Sequence, residues 1–441
     1  MSAFWCELAW TGERVESNVV VETDGERIAQ ASPGIAEPPP GSTRLAGLVI
    51  PGFANAHSHA FQRALRGRAQ TERGTFWTWR DRMYELAEAL DPNNYRELAT
   101  ATFGEMALAG ITTVGEFHYL HHDRGGAAYE DSNSMGRAMI EAAAAAGIRI
   151  TLIDACYLHG GIGVAPEGVQ RRFADADAGE WVRRVSELDE PDGVRVGAAI
   201  HSVRAVDPAS AALVADWARE RERPLHAHVS EQPAENEACL DAYGATPTAI
   251  LADAGAVDAR FVAVHATHLA GSDFELLGDA GATCCLCPTT ERDLADGIGR
   301  GRLLADAGAR LALGSDSHAV VDSFEEARAV ELDERLAAGE RGRHSPSDLL
   351  RSATANGHTA LGWPEAGRIE AGALCDLVAV DLDGVRLAGT DRTDPVPAVV
   401  FGATAADVTD VVVGGRQVVA DRRHLSLDVP RALRDSIEAL P

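Results

Sequence analysis

The 441-residue sequence contains no lysine, and all 40 of its basic residues are arginine. A chain without lysine cannot form a Schiff base with a substrate or use a lysine as a catalytic base. It also cannot carry a carbamylated lysine bridging two metal ions. These classes of enzyme are therefore excluded before any motif is considered.

Positive charge of any kind is scarce, because 67 acidic residues against 40 basic ones give a net charge of −27 at pH 7. Such a charge repels phosphate backbones and anionic headgroups, so we expect neither nucleic acid nor membrane as a partner. No apolar run approaches the roughly 18 residues of a spanning helix. The N-terminus also lacks the basic start and apolar stretch of a signal peptide, so we expect a cytoplasmic protein.

Cysteines are few, and their spacing does not suggest disulfide pairs. The seven cysteines are an odd, scattered set that forms no paired C-x-x-C framework, which is typical of reduced thiols in the cytoplasm. Cys284, Cys285 and Cys287 fall on one predicted strand, where we expect them to be buried rather than metal-ligating.

Apolar residues make up 46% of the chain, and its length suits one barrel plus a smaller unit. Both ends read as short strands, predicted over residues 3–10, 18–22, 377–380, 399–401, 408–413 and 417–420. Gly414-Gly415 marks a hairpin. We predict that residues 1–48 and 365–441 combine into one small composite β-sandwich domain.

The middle of the chain alternates short apolar strands with longer helical stretches, which is typical of parallel βαβ units. Helix starts are marked at Asp91-Pro92 and Asp207-Pro208. We predict eight strands, the number that closes a barrel, over residues 48–54, 112–117, 149–155, 194–200, 224–229, 260–264, 283–286 and 310–313. Residues 49–364 are therefore predicted to form an α/β domain, a (β/α)₈ TIM-type barrel.

Polar side chains crowd the carboxyl ends of these strands, the barrel face on which active sites are built. His57 and His59 are two apart and can reach one ion from a single strand end. His228 after the fifth strand and Asp316 after the eighth complete three imidazoles and a carboxylate, a set that suits Zn²⁺ and leaves one position open. His226 is the alternative third histidine, and we favour His228 because it lies closer to the strand end.

His57-Ser58-His59, His228, His265 and Asp316 together resemble the amidohydrolase superfamily across the whole barrel segment. With no lysine on the fourth strand, the resemblance points to its mononuclear branch, which includes adenosine, cytosine and guanine deaminases. A split β domain is the usual companion of that barrel.

Further segments resemble the formimidoylglutamate deiminases within this superfamily. These segments are His57 to Ala64, Phe76 to Arg80, Glu116 to Tyr119, His201 to Val206, Val229 to Gln232 and Cys287 to Glu291. The resemblance implies one Zn²⁺ per chain (Fe²⁺ or another divalent ion is the alternative) and a homodimer. It also implies residue roles: His57, His59, His228 and Asp316 as metal ligands, Glu231, His265 and Asp316 in catalysis, and Gln62, Arg80, Tyr119, His201 and Arg204 at the substrate.

The implied reaction is the hydrolysis of N-formimino-L-glutamate to N-formyl-L-glutamate and ammonia, as in histidine degradation. Two arginines suit its two carboxylates, since guanidinium groups bind carboxylates in bidentate fashion. Arg80 and Arg82 both remain candidates for one of them. The alternatives are a deaminase of the same branch acting on a purine, pyrimidine or triazine ring, and an inactive barrel that serves as a binding or assembly protein. His118, His121 and His122 are assigned no role and are expected in a polar loop.

Overall fold

The computed structural model describes residues 2–70 and 76–440. The chain begins with a sheet, whose first four strands are β1 (Ala3–Trp10), β2 (Val15–Asp24), β3 (Arg27–Ser32) and β4 (Thr43–Pro51). Sequence analysis predicts β1 correctly and only the middle of β2. It misses β3, in which Ile28 is the one buried residue, and most of β4, whose first four residues include one buried residue. So few buried positions leave little apolar pattern to read.

Eight parallel strands then form the barrel, each hydrogen-bonded to the next in chain order. They are β5 (Phe53–Ser58), β6 (Ile111–His118), β7 (Arg149–Cys156), β8 (Val194–Ile200), β9 (Leu225–Val229), β10 (Phe261–His265), β11 (Thr283–Leu286) and β12 (Arg310–Leu313). The last strand returns to the first through a bridge between Ser58 and Asp316. The His59 N–H donates to the Asp316 carbonyl at 3.1 Å, and the Asp316 N–H donates to the His57 carbonyl at 3.0 Å. The predicted TIM-type barrel is confirmed.

The strand predicted over 48–54 is wrong in one respect, because it joins two different strands. β4 ends at Pro51 in the terminal sheet, and the barrel begins with β5 at Phe53. Gly52 lies between them, where a Cβ atom would come within 2.3 Å of the Thr112 hydroxyl. The close approach of β6 requires glycine here, and the chain changes sheet at that residue.

Helices cover the barrel between its strands and after the last one. They are α1 (Phe76–Ala89), α2 (Pro92–Leu108), α3 (Ser134–Ala146), α4 (Ala178–Val185), α5 (Pro208–Glu220), α6 (Pro233–Tyr243), α7 (Pro247–Asp253), α8 (Asp273–Asp279), α9 (Pro288–Asp293), α10 (Gly301–Ala307), α11 (Ser323–Ala338), α12 (Pro346–Arg351) and α13 (Gly357–Ala360). Asp91 and Asp207 cap α2 and α5 as predicted, each accepting two backbone N–H groups. No helix among the described residues has both the length and the apolar composition needed to cross a bilayer.

The chain returns to the terminal sheet at its end. The remaining elements are β13 (Leu377–Val380), α14 (Val396–Gly402), β14 (Val408–Val413), β15 (Arg416–Ala420), β16 (Arg423–His424) and α15 (Val429–Glu438). The strand predicted over 399–401 is wrong, because these residues belong to α14. A short buried apolar run does not distinguish strand from helix, and Pro395 and Pro397 at the helix start are the better signal.

The terminal sheet has the order β16-β15-β14-β13-β4-β1-β2-β3, so both chain ends contribute to it. Its two halves meet where β4 pairs with β13 in antiparallel fashion, with Val49 opposite Ala379. At the far edge, β3 turns back onto the segment before β13, since the Ile28 N–H donates to the Ala373 carbonyl at 2.8 Å. The sheet thus encloses a core of its own that includes Phe4, Val21 and Ile28. This closure is consistent with the predicted sandwich.

Candidate active site

The carboxyl ends of β5, β9, β10 and β12 bring four histidines and one aspartate together in the barrel mouth. His57 and His59 come from the end of β5, His228 from β9, His265 from β10 and Asp316 from the segment after β12. All five are buried. Parallel strands end on the same rim, which is why residues far apart in the chain meet here.

His57, His59, His228 and Asp316 form what we call the central cluster. The Asp316 Oδ1 atom lies 3.4 Å from Nε2 of His57 and 3.4 Å from Nε2 of His59. The Nε2 atoms of His57 and His228 are 3.2 Å apart. His57 thus links two groups whose ligand atoms lie within 4.8 Å of one another, one with His59 and Asp316 and one with His228 and His265.

Backbone carbonyls orient two of these rings. His59 Nδ1 lies 2.9 Å from the Phe117 carbonyl, and His228 Nδ1 lies 3.0 Å from the His201 carbonyl. In the neutral rings Nδ1 therefore donates a proton, which leaves the Nε2 lone pair facing the cluster. Burial lowers the pKa of His57 to about 3 and also lowers the pKa of His59 and His228. Burial opposes ionisation of Asp316, but the hydrogen bond and charge of His57 hold its pKa well below the usual range.

These residues fit a divalent metal ion. Tetrahedral zinc with bonds of about 2.0–2.1 Å places neighbouring ligand atoms about 3.3 Å apart, close to the distances observed here. Two neutral imidazoles with facing Nε2 lone pairs would repel each other without a cation between them. Three imidazoles and a carboxylate are also the donor set that zinc prefers. The central cluster is therefore built to hold a divalent cation.

The backbone around the cluster is strained. Ser230, His265, Ala266, Asp316 and His318 all have positive φ angles, between 44° and 66°, although none is glycine. Each such residue costs of the order of 1–3 kcal/mol, and such strain concentrates at functional sites. Sequence offers no signal for it, because none of these residue types marks a left-handed position reliably.

Two acidic residues flank His265. Its Nε2 lies 3.9 Å from Glu231, and its Nδ1 lies 3.5 Å from Glu291. Burial opposes protonation of His265, but the Glu291 hydrogen bond and the charges of Glu231 and Asp316 raise its pKa to about 10. Glu291 belongs to a motif that sequence analysis singles out without giving it a role. In the structure its Oε1 atom lies beside the ring of His265 and also accepts the Cys287 N–H at 2.9 Å.

A second acidic residue without an assigned role holds the chain around His57 and His59. Glu116 accepts hydrogen bonds from the Ser58 hydroxyl at 2.6 Å and the Ala60 N–H at 2.8 Å. Burial raises its pKa to about 8, although both hydrogen bonds oppose the rise. It fixes the segment in which the two histidines stand.

A cavity of about 270 Å³ opens above the central cluster. All of the predicted substrate-contacting residues line it: Gln62, Arg80, Tyr119, His201 and Arg204. Gln62 donates a hydrogen bond to the Tyr119 hydroxyl at 3.2 Å. Of the two candidate arginines, Arg80 lines the cavity, whereas Arg82 pairs with Glu85 at the surface. Tyr84 and Tyr157 line the wall as well and are missed by sequence analysis, since neither lies in a recognised motif.

Other histidines lie outside the central cluster. His226 is buried, and its Nε2 lies 3.2 Å from the Ala360 carbonyl, so it does not join His228. His118, His121 and His122 are buried as well, whereas a polar loop is expected from the sequence. We call His118, His121 and Asp154 the lateral cluster, since their ligand atoms also lie within 4.8 Å of one another.

The lateral cluster is a poor cation site. Arg184 donates to both carboxylate oxygens of Asp154, at 2.8 and 3.0 Å, and the Trp181 indole N–H donates to the same group at 2.9 Å. A guanidinium therefore already supplies the counter-charge for this carboxylate. The three cysteines of β11 and its end, Cys284, Cys285 and Cys287, are buried as expected.

The barrel and its central cluster define a class: a hydrolase whose site is built around a divalent cation at the carboxyl ends of the strands. Comparison with known proteins agrees. The model described as the amidohydrolase family matches residues 48–418. The chain is 37% identical to the formimidoylglutamate deiminase of Pseudomonas aeruginosa, over 96% of each chain.

More distant relatives share the same architecture. The chain is 31% identical to a 5-methylthioadenosine/S-adenosylhomocysteine deaminase of Natronomonas pharaonis, over 88% of this chain and 85% of that one. It superimposes on an amidohydrolase from Brucella melitensis with a TM-score of 0.92 and 32% identity, covering 100% and 99% of the two chains. The atrazine chlorohydrolase of Arthrobacter aurescens, solved in complex with zinc, gives a TM-score of 0.87 at 25% identity and full coverage of both chains. The chain belongs to the amidohydrolase family and is an enzyme of hydrolytic type.

Proposed function

We propose that the enzyme hydrolyses N-formimino-L-glutamate to N-formyl-L-glutamate and ammonia, with one zinc ion in the central cluster. The main support for this proposal is that one cavity combines two features. Its floor holds imidazoles and a carboxylate suited to a cation, and its wall holds two arginines suited to the carboxylates of the substrate. The likeness to the deiminase of Pseudomonas aeruginosa supports this choice of substrate.

His57, His59, His228 and Asp316 would hold the metal ion. When bound, such an ion supplies Lewis acidity, which makes water nucleophilic near neutral pH. Arg80 and Arg204 bind the carboxylates, while Gln62, Tyr119 and His201 complete the pocket around them. This arrangement leaves the formimidoyl carbon of the substrate over the cluster.

Three side chains then move protons or stabilise charge. Asp316 accepts one proton from the attacking water, and protonated Glu231 delivers a proton to the terminal nitrogen, so that ammonia leaves. The hydroxyl proton of the adduct then returns to Glu231 as the formyl carbonyl forms. His265, held by Glu291, stabilises the charge that develops at the tetrahedral carbon. In this scheme each proton has a named carrier within the cavity.

Ammonia release is the measurement that tests the substrate. We expect the purified protein to release ammonia from N-formimino-L-glutamate, to lose this activity after chelation and to regain it with one equivalent of zinc. Guanine, cytosine, adenosine, 5′-methylthioadenosine and an aminotriazine serve as competing substrates, since related deaminases act on rings. Faster turnover of any ring substrate would replace the proposed function with a ring deaminase.

A homodimer is part of the same proposal, because the family likeness favours it. Analytical ultracentrifugation of the zinc-loaded protein should then give twice the chain mass of 46.6 kDa. A single species at 46.6 kDa would contradict the dimer without affecting the proposed reaction.

A further inference from the structure

Arg204 lies at the cavity wall between two carboxylates. Its Nη2 atom is 3.5 Å from Glu231 Oε2, and its Nε atom is 3.7 Å from Glu235 Oε1. Glu231 is the residue that our mechanism uses to carry a proton. The arginine assigned to the substrate and the acid assigned to the chemistry are therefore partners of each other.

These contacts are loose. A charge-assisted hydrogen bond is normally about 2.7–2.9 Å long, and Arg184 shows that geometry with four bonds of 2.8–3.0 Å to Asp154 and Asp175. By contrast, Arg204 Nε and Glu235 Oε1 are both buried without a hydrogen-bond partner among the described residues. Arg204 therefore makes no close ion pair with either glutamate, and its side chain, one quarter exposed, lines the cavity.

We propose that a carboxylate of the substrate takes the place of Glu231 on Arg204, and that this exchange frees Glu231 for proton transfer. The inference rests on the proposed function, which it deepens by making Arg204 the residue that couples recognition to chemistry. A substrate without this carboxylate leaves Glu231 paired. Such a substrate loses turnover as well as affinity, because binding energy at a remote group is used to prepare the reacting groups.

Glu235 holds the backbone of Glu231 and the guanidinium of Arg204 in place during this exchange. Its side chain is fully buried at the start of α6, and its Oε2 atom accepts the backbone N–H of Glu231 at 3.1 Å. The backbone of Glu231 is thus fixed while its carboxylate changes partner. The same glutamate remains beside Arg204 Nε, so the guanidinium stays in place when Glu231 leaves. Glu235 is a positioning residue, one that sequence analysis misses because it lies four residues beyond the recognised Glu231.

The test compares two substrates in wild type and Arg204→Gln. One substrate is N-formimino-L-glutamate, and the other is N-propylformamidine, which carries no carboxylate. For the first we expect KM to rise roughly 10- to 100-fold, the effect of losing a hydrogen bond to a charged group. For the second we expect kcat to rise above the wild-type value, because Glu231 is no longer held. A variant that turns over N-propylformamidine no faster than wild type overturns the proposal.

Arg82→Gln is the matched control, since Arg82 lies at the surface and pairs with Glu85. This variant should have the wild-type kcat and KM for both substrates. Zinc content and circular dichroism are recorded for each variant, so that a folding defect is recognised directly.

A second arm needs no substitution. Propionate added to wild type should accelerate hydrolysis of N-propylformamidine by occupying Arg204, whereas propionamide should not. Inhibition by propionate at all concentrations would contradict the exchange. If wild type fails to hydrolyse N-formimino-L-glutamate, the proposed function itself is wrong. If wild type hydrolyses it and the two arms fail, only the inference about Arg204 is wrong.

Discussion

The central and lateral clusters are made from the same residue types, yet only one of them is suited to a cation. Each combines buried imidazoles with a buried aspartate near the carboxyl ends of barrel strands. Among the described residues, the ion-pair partners of Asp316 are all histidines. Those of Asp154 include Arg184, which binds both of its oxygens.

The counter-charge of the aspartate, rather than the presence of histidine and aspartate, decides whether such a cluster can bind a cation. A buried carboxylate needs a compensating positive charge. In the lateral cluster the guanidinium of Arg184 supplies this charge permanently. The buried, bidentate pair of Arg184 and Asp154 therefore stabilises the fold. In the central cluster the ion-pair partners of Asp316 among the described residues are histidines, so no guanidinium competes there with a metal ion.

Removing the carboxylate of the central cluster should have the largest effect. We expect Asp316→Asn to lose tightly bound zinc and to lower kcat by more than the roughly 10²- to 10⁴-fold typical of a lost general acid or base. The matched change in the lateral cluster, Asp154→Asn, should leave the zinc content unchanged. Metal analysis of both purified variants decides this, and zinc loss from Asp154→Asn alone would reverse the two assignments.

Glu231→Gln separates chemistry from metal binding at the central cluster. The substitution keeps size and removes the proton carrier, so kcat should fall by about 10²- to 10⁴-fold while one zinc per chain is retained. Steady-state kinetics with metal analysis on the same sample measure both quantities. Full turnover by this variant would mean that another group carries the proton.

Arg184→Met should destabilise the protein strongly, because it leaves Asp154 and Asp175 buried without their cation. Breaking a buried pair in this way costs about 3–5 kcal/mol, which chemical denaturation can measure. The comparison also predicts that added zinc restores part of the loss, since the lateral cluster then resembles the central one. Arg137→Met, which removes a surface partner of Asp131, should change the free energy of unfolding by less than about 1 kcal/mol.

The central cluster was predictable from sequence because its signals are local. His57 and His59 are two residues apart at the end of β5, His228 lies next to the end of β9, and Asp316 follows β12. The barrel followed from the apolar runs, and seven of its eight predicted strands lie within one residue of the observed bounds at both ends. The break between β4 and β5 at Gly52 was missed because the residue that requires glycine there, Thr112, lies sixty residues away in the chain.

The supporting residues were not predictable for the same reason. Glu291, Glu235 and Glu116 act through partners that only the closed barrel brings near, and an acidic residue in a helix or strand carries no mark of such a partner. The pairing of Arg184 with Asp154 spans 30 residues and two elements. This contact is the reason that the lateral cluster is a poor metal site. The spacing of the histidines in the sequence does not indicate it.

Glu291→Gln should lower activity less than Asp316→Asn or Glu231→Gln does. It keeps the size of the side chain and weakens the hold on His265, so kcat/KM should fall by about 10- to 100-fold, as for other residues that orient groups at a metal site. Zinc content should remain at one per chain. If activity were unchanged, His265 would be oriented without Glu291.

His121→Asn in the lateral cluster should have the smallest effect on stability at neutral pH. Its effect should appear as the pH is lowered. Burial and the charge of Arg184 lower the pKa of His121 to about 3 in the folded protein, although Asp154 opposes this. The unfolded chain, with a histidine pKa near 6.5, binds more protons between these values. The contribution of His121 to stability is therefore present above pH 6.5 and is lost as pH falls toward 3. Denaturation of metal-free protein from pH 7 to pH 4.5 should show a shallower loss of stability for the variant than for wild type, while parallel curves would show that His121 is already protonated when folded.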